Sequence, residues 1–186
     1  MDEKEHEQEY VKTDGLCCFN DICGRPTKDK REMPMFDYEK ILYDSLMSND
    51  GSFKDKHLWI KKATGLGVTE FMLRMMAWLC TRDETFDGSQ MCIVTGPNIE
   101  MATKLIKRRV FSKLGLICSN KETVLELNGC TVEAFPSNHI DSYRALDNPK
   151  FILLDESDFF RKREQEEVRY VVKDTLESLT LTLLWC

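Results

Sequence analysis

The sequence predicts an α/β fold, a mainly parallel sheet flanked by helices, and three observations carry that prediction. Short apolar runs that read as strands recur along the chain: "HLWIKKA", "MCIVTGP" and "KFILLDESDFF". Stretches with helical apolar spacing separate them. The runs are apolar throughout, as strands covered on both faces must be.

Taken in order, "MFDYEKILYDSLMSNDG" places Phe36, Ile41, Leu42 and Leu46 at helical spacing and ends at Asn49-Asp50-Gly51. "HLWIKKA" is the first strand. "TEFMLRMMAWLCTRD" is a strong helix whose broad apolar face holds Phe71, Leu73, Met75, Met76, Trp78 and Leu79. "MCIVTGP" is a second buried strand, stopped by Gly96-Pro97. "NIEMATKLIKRRVFSKLG" is a helix with Asn98 as N-cap and Gly115 as C-cap. "TVLELNGCTVEAFP" alternates around Asn128-Gly129, the strongest hairpin signal in the chain. "KFILLDESDFF" is an apolar strand running into acids.

The chain of 186 residues, 42% apolar and 31% charged, has room for one ordinary domain. No apolar run approaches the roughly 20 residues of a membrane span, and "MDEKEHEQEY" is unlike a signal peptide, so no membrane role and a cytoplasmic location are expected. Eight cysteines then read as reduced thiols, with Cys80, Cys92 and Cys130 as small buried hydrophobes. Cys17, Cys18 and Cys23 lack the paired spacing of a structural zinc site. The net charge of −6 argues against a generally basic nucleic-acid binder. Residues 1–15 hold six acids against two lysines, so most of that charge lies in an acidic tail expected to be disordered. "KLIKRRVFSK", Lys104 to Lys113, is a basic cluster that reads either as a solvated helix face or as a nucleic-acid contact.

Two stretches carry chemistry. "KATGLGVT", Lys62 to Thr69, has the outline of a phosphate-binding loop between a strand and a helix. In such a loop backbone N–H groups and a helix N-terminus wrap a phosphate while a cation neutralises charge. Gly65 and Gly67 let the backbone approach closely, and the Thr69 hydroxyl stands where Mg²⁺ would be held. The usual pattern puts lysine where this chain has Val68, so Lys62, at the start of the loop, is the candidate cation. Ala63, Thr64 and Leu66 complete the loop. The bland reading is a glycine turn that merely joins strand to helix. "FILLDE", Phe151 to Glu156, has the form of a Walker B strand: four apolar residues, then Asp155 for Mg²⁺ and Glu156 to polarise the attacking water. Its bland reading is a strand ending in surface acids. The two motifs stand in the right order about 90 residues apart, the layout of an additional-strand, RecA-like P-loop NTPase that binds ATP and Mg²⁺.

With the lysine at the first loop position, the chain resembles the ATPase domain of the large terminase subunit, in an archaeal terminase-like variety. The likeness covers roughly residues 36–170, including "MCIVTGPNIEMA" and "AFPSNHIDSYRALDNPKFILLDESDFF". It implies ATP hydrolysis coupled to packaging of double-stranded DNA in a virus or provirus, by a homo-oligomeric ring working with a portal and a small terminase subunit. Arg144 falls where the family carries a candidate arginine finger. The salt-bridge alternative stays open, and Ala145 replaces a glycine common in the family. The resemblance also implies a nuclease domain and a Ser/Thr-rich coupling strand, neither of which follows in this sequence.

The expected organisation is an acidic, Cys-containing segment over 1–33, the ATPase domain over 34–170 and an atypical tail over 171–186. "VVKDTLESLTLTLLWC" alternates leucine and threonine. Under one permitted choice of codons a shifted frame gives a turn and an apolar strand ending in serine. Residues after about Tyr170 are therefore either out of frame, making the chain a truncated relic, or a genuine β-rich segment. Two other functions stand beside the motor: a non-catalytic nucleotide- or DNA-binding remnant, and a helicase-like ATPase fragment suggested by "DESD".

Overall fold

The structure is a computed structural model and describes residues 25–26, 32–33, 35–48, 54, 57–61, 63, 65–82, 86–95, 124–127, 129–139, 149–175 and 180–185. The expected disorder of residues 1–15, Cys17, Cys18 and Cys23, the Asn49-Asp50-Gly51 stop and the helix between Asn98 and Gly115 with its basic cluster lie outside these residues. Two short strands, β1 (Arg25–Pro26) and β2 (Glu32–Met33), pair antiparallel. Helix α1 (Asp37–Leu46) follows, then β3 (His57–Lys61), α2 (Val68–Arg82), β4 (Gln90–Thr95), β5 (Val124–Leu127), β6 (Cys130–Pro136) and β7 (Pro149–Leu154). A 3-10 turn (Ser157–Phe159), α3 (Lys162–Thr175) and β8 (Thr180–Trp185) complete the described elements. Among the described residues no helix is long and apolar enough to cross a membrane.

The main sheet has six strands in the order β3-β8-β7-β4-β6-β5, parallel except for the β5–β6 hairpin. This is the mainly parallel sheet read from the sequence. The residues set apart as an atypical tail finish α3 and supply β8, which lies between β3 and β7. One added strand therefore separates the strand before the phosphate-loop motif from the strand before the paired acids. The registers Trp59↔Leu183 and Leu154↔Leu183 align the three strands, so β3 and β7 deliver their C-terminal ends to the same edge of the sheet.

Helix α2 is the centre of the core. All ten residues from Phe71 to Cys80 are buried, wider than the amphipathic face expected, because the helix is packed on more than one side. It shares one cluster with Leu42, Tyr43 and Leu46 of α1, and with Met91, Ile93, Val132, Ala134, Phe151 and Leu153 from one face of the sheet. The opposite face, through Cys92, Val94, Ile152 and Leu154, is also buried. Burial on both faces is why these strands read as unbroken apolar runs. Ile41 of α1, one of the residues that set its spacing, points outward and is 65% exposed; Tyr43 takes the inward position. The helix stops at Leu46, where the Met47 N–H donates to the Tyr43 carbonyl and the Lys54 N–H to the Leu46 carbonyl.

The hairpin pairs Leu127 with Cys130 across Asn128-Gly129, as the sequence predicts. Gly129 has φ of +76°, and a Cβ there would sit 2.7 Å from an Asp87 carboxylate oxygen. Its carbonyl accepts the Gly88 N–H, tying the turn to the segment before β4. Cys80, Cys92 and Cys130 are buried thiols outside any disulfide, as expected of small hydrophobes. Burial and the Glu133 charge push the Cys92 thiol well above its ordinary pKa. A hydrogen bond with Cys130 and burial do the same for Cys80. Both thiols are thereby kept neutral.

Candidate nucleotide site

At the edge where β3 ends, Gly65, Leu66 and Gly67 form an exposed turn into α2. Gly65 and Gly67 have φ of +86° and +77°, conformations a side chain would strain. The Gly67 carbonyl accepts the first helical bond, from the Phe71 N–H at 2.9 Å. Val68, Thr69 and Glu70 therefore form the first turn of α2, whose N–H groups have no acceptor within the helix and face an anion favourably. Val68 is buried and anchors the turn, whereas the loop before it is exposed. From α1, the Tyr38 hydroxyl donates to the Leu66 carbonyl, and Tyr38 stacks on Phe36 with centroids 5.3 Å apart. Nothing in the sequence spacing links a tyrosine 28 residues upstream to the loop.

The decisive contact is between the two motifs. The Thr69 hydroxyl donates to an Asp155 carboxylate oxygen at 2.9 Å, joining residues 86 apart in the chain. Asp155 follows β7 directly, and its N–H donates to the Val94 carbonyl at 2.9 Å, which prolongs the β7–β4 ladder by one residue. Asp155 is buried, 7% exposed. A buried carboxylate is costly unless bonded or matched by a cation. A hydroxyl and a carboxylate oxygen side by side at the mouth of a helix N-terminus are hard donors of the kind Mg²⁺ takes. Among the described residues no three His, Cys, Asp or Glu cluster as a metal site. A divalent ion here would depend on these two donors together with phosphate and water, the usual habit of Mg²⁺.

Glu156 is exposed and left-handed, with φ of +52° and ψ of +39°. Among the described residues it is the one non-glycine with positive φ. That conformation costs about 1–2 kcal/mol and persists where its surroundings hold it. Its carbonyl accepts the Phe159 N–H at 2.9 Å, and the Phe160 N–H donates to the Ser157 carbonyl at 3.1 Å. The sequence marked Glu156 but gave no sign of its backbone conformation. It also passed over Glu164 and Gln165 of α3. Glu164 accepts from the Ser137 hydroxyl at the end of β6 and from the Arg161 N–H. Gln165 reaches back to the turn after Glu156.

Of the residues marked from sequence, the structure brings together Gly65, Leu66, Gly67, Val68 and Thr69 in the loop and helix start, and joins them to Asp155. Ala63 lies exposed before the turn. Lys62, Thr64 and Arg144 lie outside the described residues. Beside Thr69 on α2, Glu70 is paired with the buried Arg74 at 3.2 Å, which offsets an acid that would otherwise oppose a phosphate.

No protein-family model matches the sequence, and no curated protein matches it. Solved structures do. The large terminase of bacteriophage HK97 is similar over 96% of this chain with a TM-score of 0.69 at 13% identity; the chain spans 37% of that protein. The large terminase ATPase domain of Thermus phage P74-26 is similar over 87% of this chain and 69% of its own, with a TM-score of 0.55 and 12% identity. The bacteriophage Phi-29 genome packaging motor assembly is similar over 81% of this chain and 46% of its own, with a TM-score of 0.51 and 17% identity. The chain has the fold of large terminase ATPase domains, a P-loop NTPase fold with a mainly parallel sheet between helices.

Proposed function

We propose that this chain is the ATP-binding and hydrolysing domain of a terminase-like DNA-packaging motor. The observation that carries the reading is the Thr69–Asp155 hydrogen bond, on a fold shared with large terminase ATPase domains. Lys62 and the backbone of Ala63 to Thr69 bind the phosphates of ATP. Thr69 and Asp155 hold Mg²⁺, which when bound offsets charge on the phosphates. Glu156 orients and polarises the attacking water. Arg144 acts as a finger from a neighbouring subunit. Double-stranded DNA, a portal, a small terminase subunit and further copies of the chain in a ring are the proposed partners, in the cytoplasm of a host carrying the virus or provirus. These reach beyond the domain itself, because the chain spans about a third of the HK97 protein.

Turnover tests the reading. The purified chain is expected to hydrolyse Mg-ATP, and duplex DNA is expected to raise the rate. Binding without hydrolysis would favour a non-catalytic remnant, and hydrolysis indifferent to DNA would favour a simple NTPase over a motor.

A further inference from the structure

We propose that Gln165 of α3 is a positioning residue for the Glu156 carboxylate, an inference that rests on Glu156 being the group that activates water. Glu156 stands at a left-handed residue between a strand and a 3-10 turn, so its side-chain direction is set by whatever fixes that turn. On the strand side, the Asp155 N–H is bonded to Val94. On the other side, the turn has its own backbone bonds, Phe159 N–H to the Glu156 carbonyl and Phe160 N–H to the Ser157 carbonyl, and one side-chain nitrogen clamps it from outside. Gln165 Nε2 donates to the Phe160 carbonyl at 3.0 Å and to the Ser157 carbonyl at 3.3 Å, spanning the turn that follows Glu156. Two acceptors facing one nitrogen call for a group with two N–H donors and no charge to bury, which is a primary amide.

The residue that makes this bridge is itself held. The Gln165 N–H is engaged in α3 with the Arg161 carbonyl at 2.9 Å. Its neighbour Glu164 accepts the Arg161 N–H at 3.1 Å, capping the helix start, and the buried Ser137 hydroxyl at 2.9 Å. A continuous chain of bonds therefore runs from the end of β6 through Glu164 and the first turn of α3 to Gln165, and on to the turn that orients Glu156. Displacing α3 relative to β6 would turn the Glu156 carboxylate without touching the phosphate loop. Gln165 thus acts on the water-activating group and leaves Thr69 and Asp155 alone.

The test compares Gln165→Ala and Gln165→Glu with the unaltered chain. Glutamate keeps the shape of glutamine but, ionised, offers no donor and sets its charge against two carbonyl oxygens. Three readouts are needed: kcat and KM for Mg-ATP, the Kd for ATP by calorimetry, and hydrogen exchange at the Phe159 and Phe160 amides. Both variants are expected to lose roughly tenfold in kcat with KM and Kd within about twofold, since a small misplacement of a reacting group slows chemistry without weakening binding. The two amides should exchange faster while those of α2 do not. Gln165→Glu should be at least as impaired as Gln165→Ala. Unchanged kcat, a Gln165→Glu variant that behaves as the unaltered chain, or losses in Kd and global stability in step with kcat would overturn the proposal. Failure of the underlying reading has a different signature: Glu156→Gln keeps full turnover, or the unaltered chain has none, and the positioning role then falls with it whatever the amides do.

Discussion

Glu156→Gln is expected to lower ATP turnover by about 10²–10⁴-fold, the span associated with a positioned acid–base group, while ATP binding stays within a few-fold. The amide keeps the size of the side chain and loses the negative charge that, in the proposed role, would polarise water. The backbone at this position sharpens the prediction. Glu156 has φ of +52°, and glycine meets no penalty there. Glu156→Gly is therefore expected to raise stability by about 1 kcal/mol and still abolish turnover. Stopped-assay kinetics and denaturant unfolding on the same two variants separate a residue kept for chemistry from one kept for the fold. Backbone strain of this kind clusters at functional sites, and here it falls next to a buried aspartate. If both variants turned over ATP normally, the exposed acid would be only the end of a strand.

The second large effect is on stability. Among the described residues Trp78 is the largest fully buried side chain, 1% exposed at the middle of α2, with its ring tilted 56° against Tyr43 of α1 at 6.2 Å. Trp78→Ala leaves a cavity where helix meets helix and is expected to cost about 3–5 kcal/mol. Small domains have only about 5–15 kcal/mol of stability to lose. The measurement is the midpoint of urea unfolding, with the slope unchanged if the loss is local packing. Saturating Mg-ATP should recover part of the loss by mass action, because the helix that carries Trp78 begins at the candidate phosphate loop.

Most of the fold was legible because its strands are interior and parallel. "FILL" and "CIV" are apolar on both faces, and that alone separates them from surface strands. The hairpin was legible because Asn128-Gly129 has few other uses. Helix α2 was found but its burial was underread: periodicity shows one apolar face, and a helix packed on several sides shows apolar residues on all of them. Strand β8 was the hardest to see. Its alternating leucine and threonine are unlike the continuous apolar run that an interior parallel strand normally shows, so residues 180–185 read as a misfit where the backbone joins β3 to β7. At the candidate site, Thr69, Asp155 and Glu156 stand out because loop and strand motifs have fixed offsets, and the structure joins the first two. Tyr38, Ser137, Glu164 and Gln165 do not, because their partners are set by how the helices dock, and no local spacing encodes that.

The most direct measurement of the central claim is the Mg²⁺ dependence of ATP binding, by calorimetry, in the unaltered chain and in Asp155→Asn. Asparagine keeps an oxygen that can accept the Thr69 hydroxyl, so the contact between the motifs survives while the charge that would hold the metal does not. The expected result is that Mg²⁺ tightens ATP binding to the unaltered chain, and that the variant loses the effect by a factor on the order of 10–100. ATP binding indifferent to Mg²⁺, or equally tight Mg-ATP binding by Asp155→Asn, would contradict the assignment of Thr69 and Asp155 as the metal-holding pair.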